Sequence, residues 1–302
     1  MTNKGTFQVC LLLAAVLVAA PVMAKAPAKR AKAAKPVKAT KVVESTRSAA
    51  LPAGPLAADL LAQRAELSGQ LIAGEVRGKE ETALVKKLTA IAGQTLLSSK
   101  VVEGDPLAYT TQLRKGETLA AAVKRCGCGV PASFIAKING VSESYSRTGA
   151  TVKMLRGPFH ARISKHDFSL DVYLKSGKEM IFVKRVKVAL GRNDSTPLGT
   201  FRITGKAVKA TWTPPKSMRK THPKPVKWGQ KGYPLGRDGI FMGLRGIDKN
   251  TRGAKGYGIH STNSQGSIGQ ARSHGCVRVG NGDIGSLYSM FTDGATTVQI
   301  VP

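Results

Sequence analysis

Acidic residues are scarce in this chain: 18 Asp and Glu stand against 47 Lys and Arg in 302 residues, a formal net charge of +29. Long apolar runs are scarce as well. None reaches the roughly 20 residues that a membrane-spanning helix requires. The longest, Thr6 to Ala20, follows Lys4 and leads into the small residues Val22-Met23-Ala24. That arrangement reads as a secretory signal over residues 1–24, so the mature chain is expected outside the cytoplasm, in the periplasm or wall, with no transmembrane span. Cysteine is confined to four positions, and Cys10 sits away from the cleavage point where a lipid anchor would be attached. Also missing is any His-Glu-x-x-His pattern, the helical signature of many hydrolytic zinc sites.

A charge this positive would ordinarily raise nucleic acid as a partner, and export argues against it. From Lys25 to Arg47 the chain is Ala, Lys and Pro with Glu44 as its single acid, a composition unable to bury enough apolar surface to fold. Residues 25–54 are therefore read as a disordered basic arm, which either meets anionic envelope polymers by screened attraction or serves as a solubilising tether. Beyond the arm, Leu60, Leu61, Leu67 and Leu71, then Leu84, Val85, Leu88 and Ile91, recur at helical spacing. This predicts two helices with a break near Gly74 to Gly78, in a helical segment spanning 55–104 whose stripes pack on each other or on the next domain. Further on, Phe168 to Leu174 alternates polar and apolar residues, and Ser176-Gly177-Lys178 reads as a hairpin turn. Short strands and Gly-rich turns follow, with one helix expected near Ile284 to Phe291. The stretch Lys206 to Arg237, rich in Lys, Pro and Gly, is too long for an ordinary connection and is read as a lid or substrate wall.

The segment Ser273-His274-Gly275-Cys276-Val277-Arg278, about a dozen residues after Gly258-Ile259-His260, holds the chemistry. A thiol of ordinary pKa, about 8.5, needs an imidazole, a cation or backbone N–H groups nearby to work as a thiolate. Cys276 has candidates for all three: His260 as base, Arg278 as cation, and the N–H groups around Gly275 and Cys276 as donors to a developing oxyanion. Two other readings compete. A buried Cys is often an inert small hydrophobe, and His260, His274 and Cys276 are all zinc-ligand types. Against zinc, no second Cys or acidic group lies near enough in sequence to complete the usual set.

These residues, together with Thr196-Pro197-Leu198-Gly199-Thr200-Phe201-Arg202-Ile203, Trp212-Thr213-Pro214-Pro215 and the ending Gly294 to Ile300, resemble the L,D-transpeptidase family, the YkuD-like catalytic domain. One departure is visible: Ser261 follows the histidine where that family often has Gly. The resemblance covers roughly half the chain and implies a mostly β catalytic domain over 157–302. It implies Cys276 as nucleophile and His260 as base, oriented by the backbone carbonyl of Ser261, with Ser273, His274 and Gly275 shaping the oxyanion turn. Trp212, on the lid, and Arg278, holding the loop or a substrate carboxylate, are the implied substrate contacts. The implied partners are peptidoglycan stem peptides and glycan strands, with no metal and no cofactor. Three functions remain open: a transpeptidase joining third stem residues with release of D-alanine, a hydrolase using water as acceptor on the same thioester, and a wall-binding protein with an idle catalytic domain.

A second resemblance rests on Tyr109-Thr110, Lys115-Gly116-Glu117-Thr118-Leu119, Ile135 to Gly140 and Gly149 to Leu155, which look like a lysin motif. It implies a small βααβ module over 107–156 that holds glycan at Gly116, Glu117, Thr118 and Asn139, or else acts as a spacer. Within it, Cys126-Gly127-Cys128 leaves two states open: a labile disulfide closing a strained loop, or two free thiols. The expected fold class is thus α+β and multidomain.

Overall fold

The computed structural model describes residues 55–215 and 218–302. The signal expected at 1–24 and the basic arm expected at 25–54 lie outside the described residues. Two helices lead: α1 (Pro55–Ala73) and α2 (Gly78–Thr95). A βααβ unit follows, made of β1 (Ala108–Gln112), α3 (Leu119–Cys126), α4 (Ala132–Asn139) and β2 (Thr151–Leu155). The remainder is mostly strand: β3 (His160–Ser164), β4 (Ser169–Ser176), β5 (Glu179–Gly191), β6 (Gly199–Ala207), β7 (Phe241–Gly246), β8 (Tyr257–Ser261), β9 (Ala271–Ser273), β10 (Val277–Val279), α5 (Asn281–Met290) and β11 (Thr297–Val301). No helix among the described residues is long and apolar enough to cross a membrane.

The large sheet runs β10-β8-β7-β6-β11-β3-β4-β5-β9, and β10 pairs with β5 as well as with β8. The sheet therefore closes on itself, and β10 is the closing strand. It lies parallel to β8, with Arg278 opposite His260, and antiparallel to β5, with Arg278 opposite Ala189. Val277 and Val279 point into the core with Ile259, all fully buried. By strand alternation, Cys276, Arg278 and His260 share the opposite face.

Helices α1 and α2 cover the outer face of β4 and β5. Leu71, Leu84 and Leu88 pack around Tyr173 and Phe182, whose rings meet edge to face at 6.1 Å. Consequently Ser169 to Leu174 are buried on both faces of β4, polar side included. Asp171 is tolerated there because Arg185 grips both carboxylate oxygens, at 2.6 and 2.7 Å, and also reaches Glu81 on α2 at 2.6 Å. A second buried pair, Arg64 with Asp105 through two 2.8 Å hydrogen bonds, ties α1 to the segment before β1.

The βααβ unit is not a detached bead. Its core residues Leu119, Phe134 and Met154 continue into that of the large sheet. Phe134 and Phe159 make an edge-to-face contact at 5.1 Å. Thr292 Oγ1 donates to Gly129 O at 2.9 Å. The buried Lys153 ammonium donates to the Thr95, Ser98 and Lys100 carbonyls at the end of α2.

His160, at the start of β3 and buried, accepts from the Thr297 hydroxyl at its Nδ1, 2.6 Å away. Desolvation first, then the charge of Lys175, lowers its pKa to about 4. The folded state thus binds this proton more weakly than the unfolded chain, and the stability it holds above pH 6.5 is lost as pH falls toward 4. About 3 kcal/mol is at stake for a shift of this size. Urea unfolding across that window should show the loss, and His160→Gln should reduce it without abolishing it, because His260 is shifted into the same range; an unchanged slope in the variant would assign the loss to other groups.

Candidate active site

The nucleophile turn is fixed from beneath by hydroxyl groups. Ser273 Oγ donates to the Cys276 carbonyl at 2.6 Å and accepts the Gly275 N–H at 3.0 Å, closing a tight loop over residues 273–276. Gly275 has φ +127, and a Cβ there would lie 2.8 Å from the Tyr257 ring and 3.0 Å from the Ser195 carbonyl. Only glycine fits this close approach. Thr196, fully buried, donates its hydroxyl to the Gly275 carbonyl at 2.9 Å and accepts the Gly191 N–H at 2.7 Å, so the end of β5 is stapled to the turn.

Two N–H groups were the expected oxyanion donors, at Gly275 and Cys276. The Gly275 N–H is spent on Ser273, whereas the Cys276 N–H donates to no group among the described residues. The Cys276 Sγ is half-buried and lies 3.7 Å from the Gly256 carbonyl. Desolvation raises its pKa, while a backbone hydrogen bond at Gly258 and the charge of Arg278 pull it down.

His260 is positioned from three sides. Its Nδ1 is 2.7 Å from the Ser261 carbonyl, which fixes the donor there and leaves Nε2 as the acceptor. The Phe241 ring stacks on the imidazole at 6.3 Å and 18°. Gly258 makes room for that ring, since a Cβ would come within 2.5 Å of it. Arg278 faces it across the β8–β10 register. Desolvation lowers the His260 pKa to about 4, with Arg278 adding to the effect and the Ser261 carbonyl opposing it. At neutral pH the resting imidazole is uncharged and able to take a proton.

Arg278 is half-buried and forms no ion pair among the described residues. His274 is exposed, with Nε2 2.9 Å from the Arg192 guanidinium. No group of three His, Cys, Asp or Glu side chains among the described residues is arranged to hold a metal ion.

The stretch read as a lid forms a long insert between β6 and β7. Trp212 pairs with Val226 through two 2.9 Å backbone hydrogen bonds and meets His222 edge to face at 5.5 Å. No hydrogen bond or ring contact joins Trp212 to Cys276 or His260 among the described residues. The insert reaches the site through its later part. Ser261 Oγ accepts the Ile240 N–H at 3.0 Å and donates to the Leu235 carbonyl, while Asn263 donates to the Tyr233 carbonyl. The serine that departs from the family pattern therefore pins the insert beside the histidine.

In the βααβ unit, Gly116 is exposed with φ +72. Glu117 takes the Arg114 N–H and pairs with Arg125 at 2.6 Å, and Thr118 caps α3 by accepting the Ala121 N–H. Asn139 joins α4 to β2 by exchanging hydrogen bonds with Lys153 at 2.8 and 2.9 Å. Three of the four residues named for glycan thus have their side chains engaged internally. Cys126, Cys128 and Cys276 are all free thiols.

Thr196, Phe241 and Arg192 are site residues that sequence reasoning did not single out for a role. Thr196 belonged to a motif read as strand entry, but nothing local showed that it reaches a carbonyl some 80 residues on, a separation that matches its hydrogen bond to Gly275.

Cys276, just ahead of the closing strand β10, and His260, on the neighbouring strand β8, are thus brought to one face of the closed sheet. Residues 158–300 match the family model for the L,D-transpeptidase catalytic domain, YkuD. The chain is 31% identical over 135 residues to the putative L,D-transpeptidase YqjB of Bacillus subtilis, covering 44% of this chain and 66% of that protein. It is 31% identical over 130 residues to the probable L,D-transpeptidase YcfS of Escherichia coli, covering 43% of this chain and 40% of that one. Each match spans less than two thirds of the relative's own length. Among solved structures, an L,D-transpeptidase from Mycobacterium smegmatis shares 18% identity over 51% of this chain and 64% of its own, with a TM-score of 0.34. Residues 158–300 are thus similar to the L,D-transpeptidase catalytic domain, a likeness that spans somewhat less than half of this chain.

Proposed function

We propose that this protein is an exported peptidoglycan L,D-transpeptidase acting through a Cys276 thioester. The observation that carries the reading is the juxtaposition across β8 and β10: a cysteine ahead of the closing strand, and a neutral histidine whose Nδ1 is fixed by the Ser261 carbonyl. His260 Nε2 takes the thiol proton as Sγ attacks the carbonyl joining the third stem residue to the terminal D-alanine. The oxyanion meets the Cys276 N–H. His260 returns the proton to the departing amine, the carbon–nitrogen bond breaks, and the acyl group stays on sulfur. A side-chain amine of a neighbouring stem then attacks the thioester. Its proton passes to His260 and on to the regenerated thiol, and the third residues of the two stems are joined. Ser273 and Thr196 hold the turn, and Arg278 binds a donor carboxylate.

The reading is tested by incubating the protein with tetrapeptide muropeptides and weighing the products. Cross-linked dimers with free D-alanine are expected. Tripeptide without dimer would make the protein a hydrolase, and unchanged substrate would leave the catalytic domain idle.

The βααβ module is read as the glycan contact, meeting sugar through the backbone around Gly116 rather than through the engaged side chains of Glu117, Thr118 and Asn139. Its shared core makes deletion unsuitable as a test. Soluble N-acetylglucosamine oligomers should instead compete the protein off sacculi at high salt, where the basic arm's attraction is screened. Binding that ignores the oligomers would make the module a spacer.

A further inference from the structure

Arg192 occupies a position for which the mechanism above has no use. It opens the short 3-10 turn Arg192–Asp194 that follows β5, where Asn193 and Asp194 both take positive φ, 50 and 58. Such backbone is costly for residues with a side chain and persists only where the surroundings impose it. Here they do. Lys165 ion-pairs with the Asp194 carboxylate and donates to the Thr196 carbonyl at 2.7 Å, and Thr196 in turn staples the nucleophile turn.

The consequence is a separation of charges. The acid nearest Arg192 in sequence is taken by Lys165, and Arg192 forms no ion pair among the described residues. Its guanidinium is exposed and spends one N–H on His274 Nε2, 2.9 Å away, two residues before the nucleophile. A guanidinium carries five N–H donors, so most of them remain for another acceptor. Arg278 stands two residues after the nucleophile, equally without a carboxylate among the described residues. Both cations act on His274, lowering its pKa after desolvation. Two guanidinium groups therefore flank the Cys276 turn, Arg192 exposed and Arg278 half-buried, neither in an ion pair among the described residues.

We propose that Arg192 is a specificity-determining residue which, together with Arg278, recognises an acyl donor bearing two free carboxylates around the scissile bond. In a tetrapeptide stem these are the terminal carboxylate of the leaving residue and a carboxylate on the side chain of the third residue. This rests on the stem-peptide reading given above. Guanidinium is suited to the task because its planar fork matches a carboxylate with two parallel hydrogen bonds. His274 orients Arg192, and its neutral form is what accepts the arginine N–H.

The test measures binding separately from turnover. In a Cys276→Ala background, a tetrapeptide stem with both carboxylates free is titrated against two mono-amides, one at the third-residue side chain and one at the C-terminus. With Arg192 intact, at least one amide should bind about tenfold more weakly or worse, the scale of a lost charge-assisted pair. In Arg192→Gln, the diacid should bind as weakly as that amide, and discrimination between the two should vanish. Arg192→Lys, which keeps the charge without the fork, should restore part of it. Equal weakening of diacid and amides in Arg192→Gln would reduce the residue to seating His274, and unchanged or undetectable diacid binding would overturn the clamp. Release of D-alanine by the unsubstituted protein is followed in parallel. Its absence sinks the stem-peptide reading, whereas the binding comparison judges Arg192.

Discussion

Replacing Cys276 with alanine is expected to remove thioester formation and product release altogether while leaving the thermal midpoint within a degree or two. The side chain loses its sulfur but little volume, and the turn is held by Ser273, Gly275 and Thr196, none of which uses the thiol. His260→Ala should be slower by roughly a hundred- to ten-thousandfold, the usual contribution of a general acid–base group. The inequality follows from the roles: without His260 a thiolate still forms at high pH, and without Cys276 there is no atom to acylate. Steady-state rates for the two variants, with circular dichroism to check folding, decide the matter. Full turnover by Cys276→Ala would remove the mechanism, and equal loss in the two variants would indicate that His260 is needed for more than proton transfer.

The largest effect on stability is expected far from the site, at Asp105→Ala. Asp105 accepts both Arg64 guanidinium bonds and also the Leu107 N–H at 2.9 Å, and Arg64 is only 2% exposed. Truncating the acid leaves an uncompensated buried charge, a change that costs about 3–5 kcal/mol. In a folded unit of this size that lowers the melting midpoint by roughly 10 °C. Arg64→Met together with Asp105→Leu should recover most of the loss, because the charge is removed along with its partner. Calorimetry on the single and double variants tests this. A single variant within 1 kcal/mol of the parent would show that water reaches Arg64.

What the sequence made legible was local. Helical spacing of leucines marked α1 and α2, and the hairpin turn at Gly177 marked the β4–β5 pair, since each signal lies within a few residues. Which faces those elements cover was not legible. The alternation in β4 marks one face for the core, yet Asp171 and Tyr173 on the other face are buried as well. The helices that cover them lie about a hundred residues upstream, and Arg185 supplies the compensating charge from the next strand. The candidate site divides in the same way. Cys276, His260 and Arg278 stand out because their chemistry is unusual in a short motif. Thr196, Phe241 and Arg192 do not, because their roles exist only once the closed sheet brings β5 beside β10 and β7 beside β8. The Gly275 N–H shows the limit most clearly: the motif offers it as an oxyanion donor, and only the geometry reveals that Ser273 has taken it. Ser261 is the converse case, a departure from a pattern whose purpose, pinning Ile240 and Leu235 of the insert, appears only in three dimensions.

The central claim is that sulfur of Cys276 carries the acyl group, and its most direct test is to catch that species. The protein is mixed with a tetrapeptide stem whose third residue lacks a free amine, quenched in acid within seconds, and weighed intact. The account predicts a mass increase equal to the donor minus its terminal D-alanine, located by digestion on the peptide containing Cys276 and absent from the Cys276→Ala protein. An adduct on Cys126 or Cys128, or D-alanine released with no adduct on Cys276 at any quench time, would contradict it.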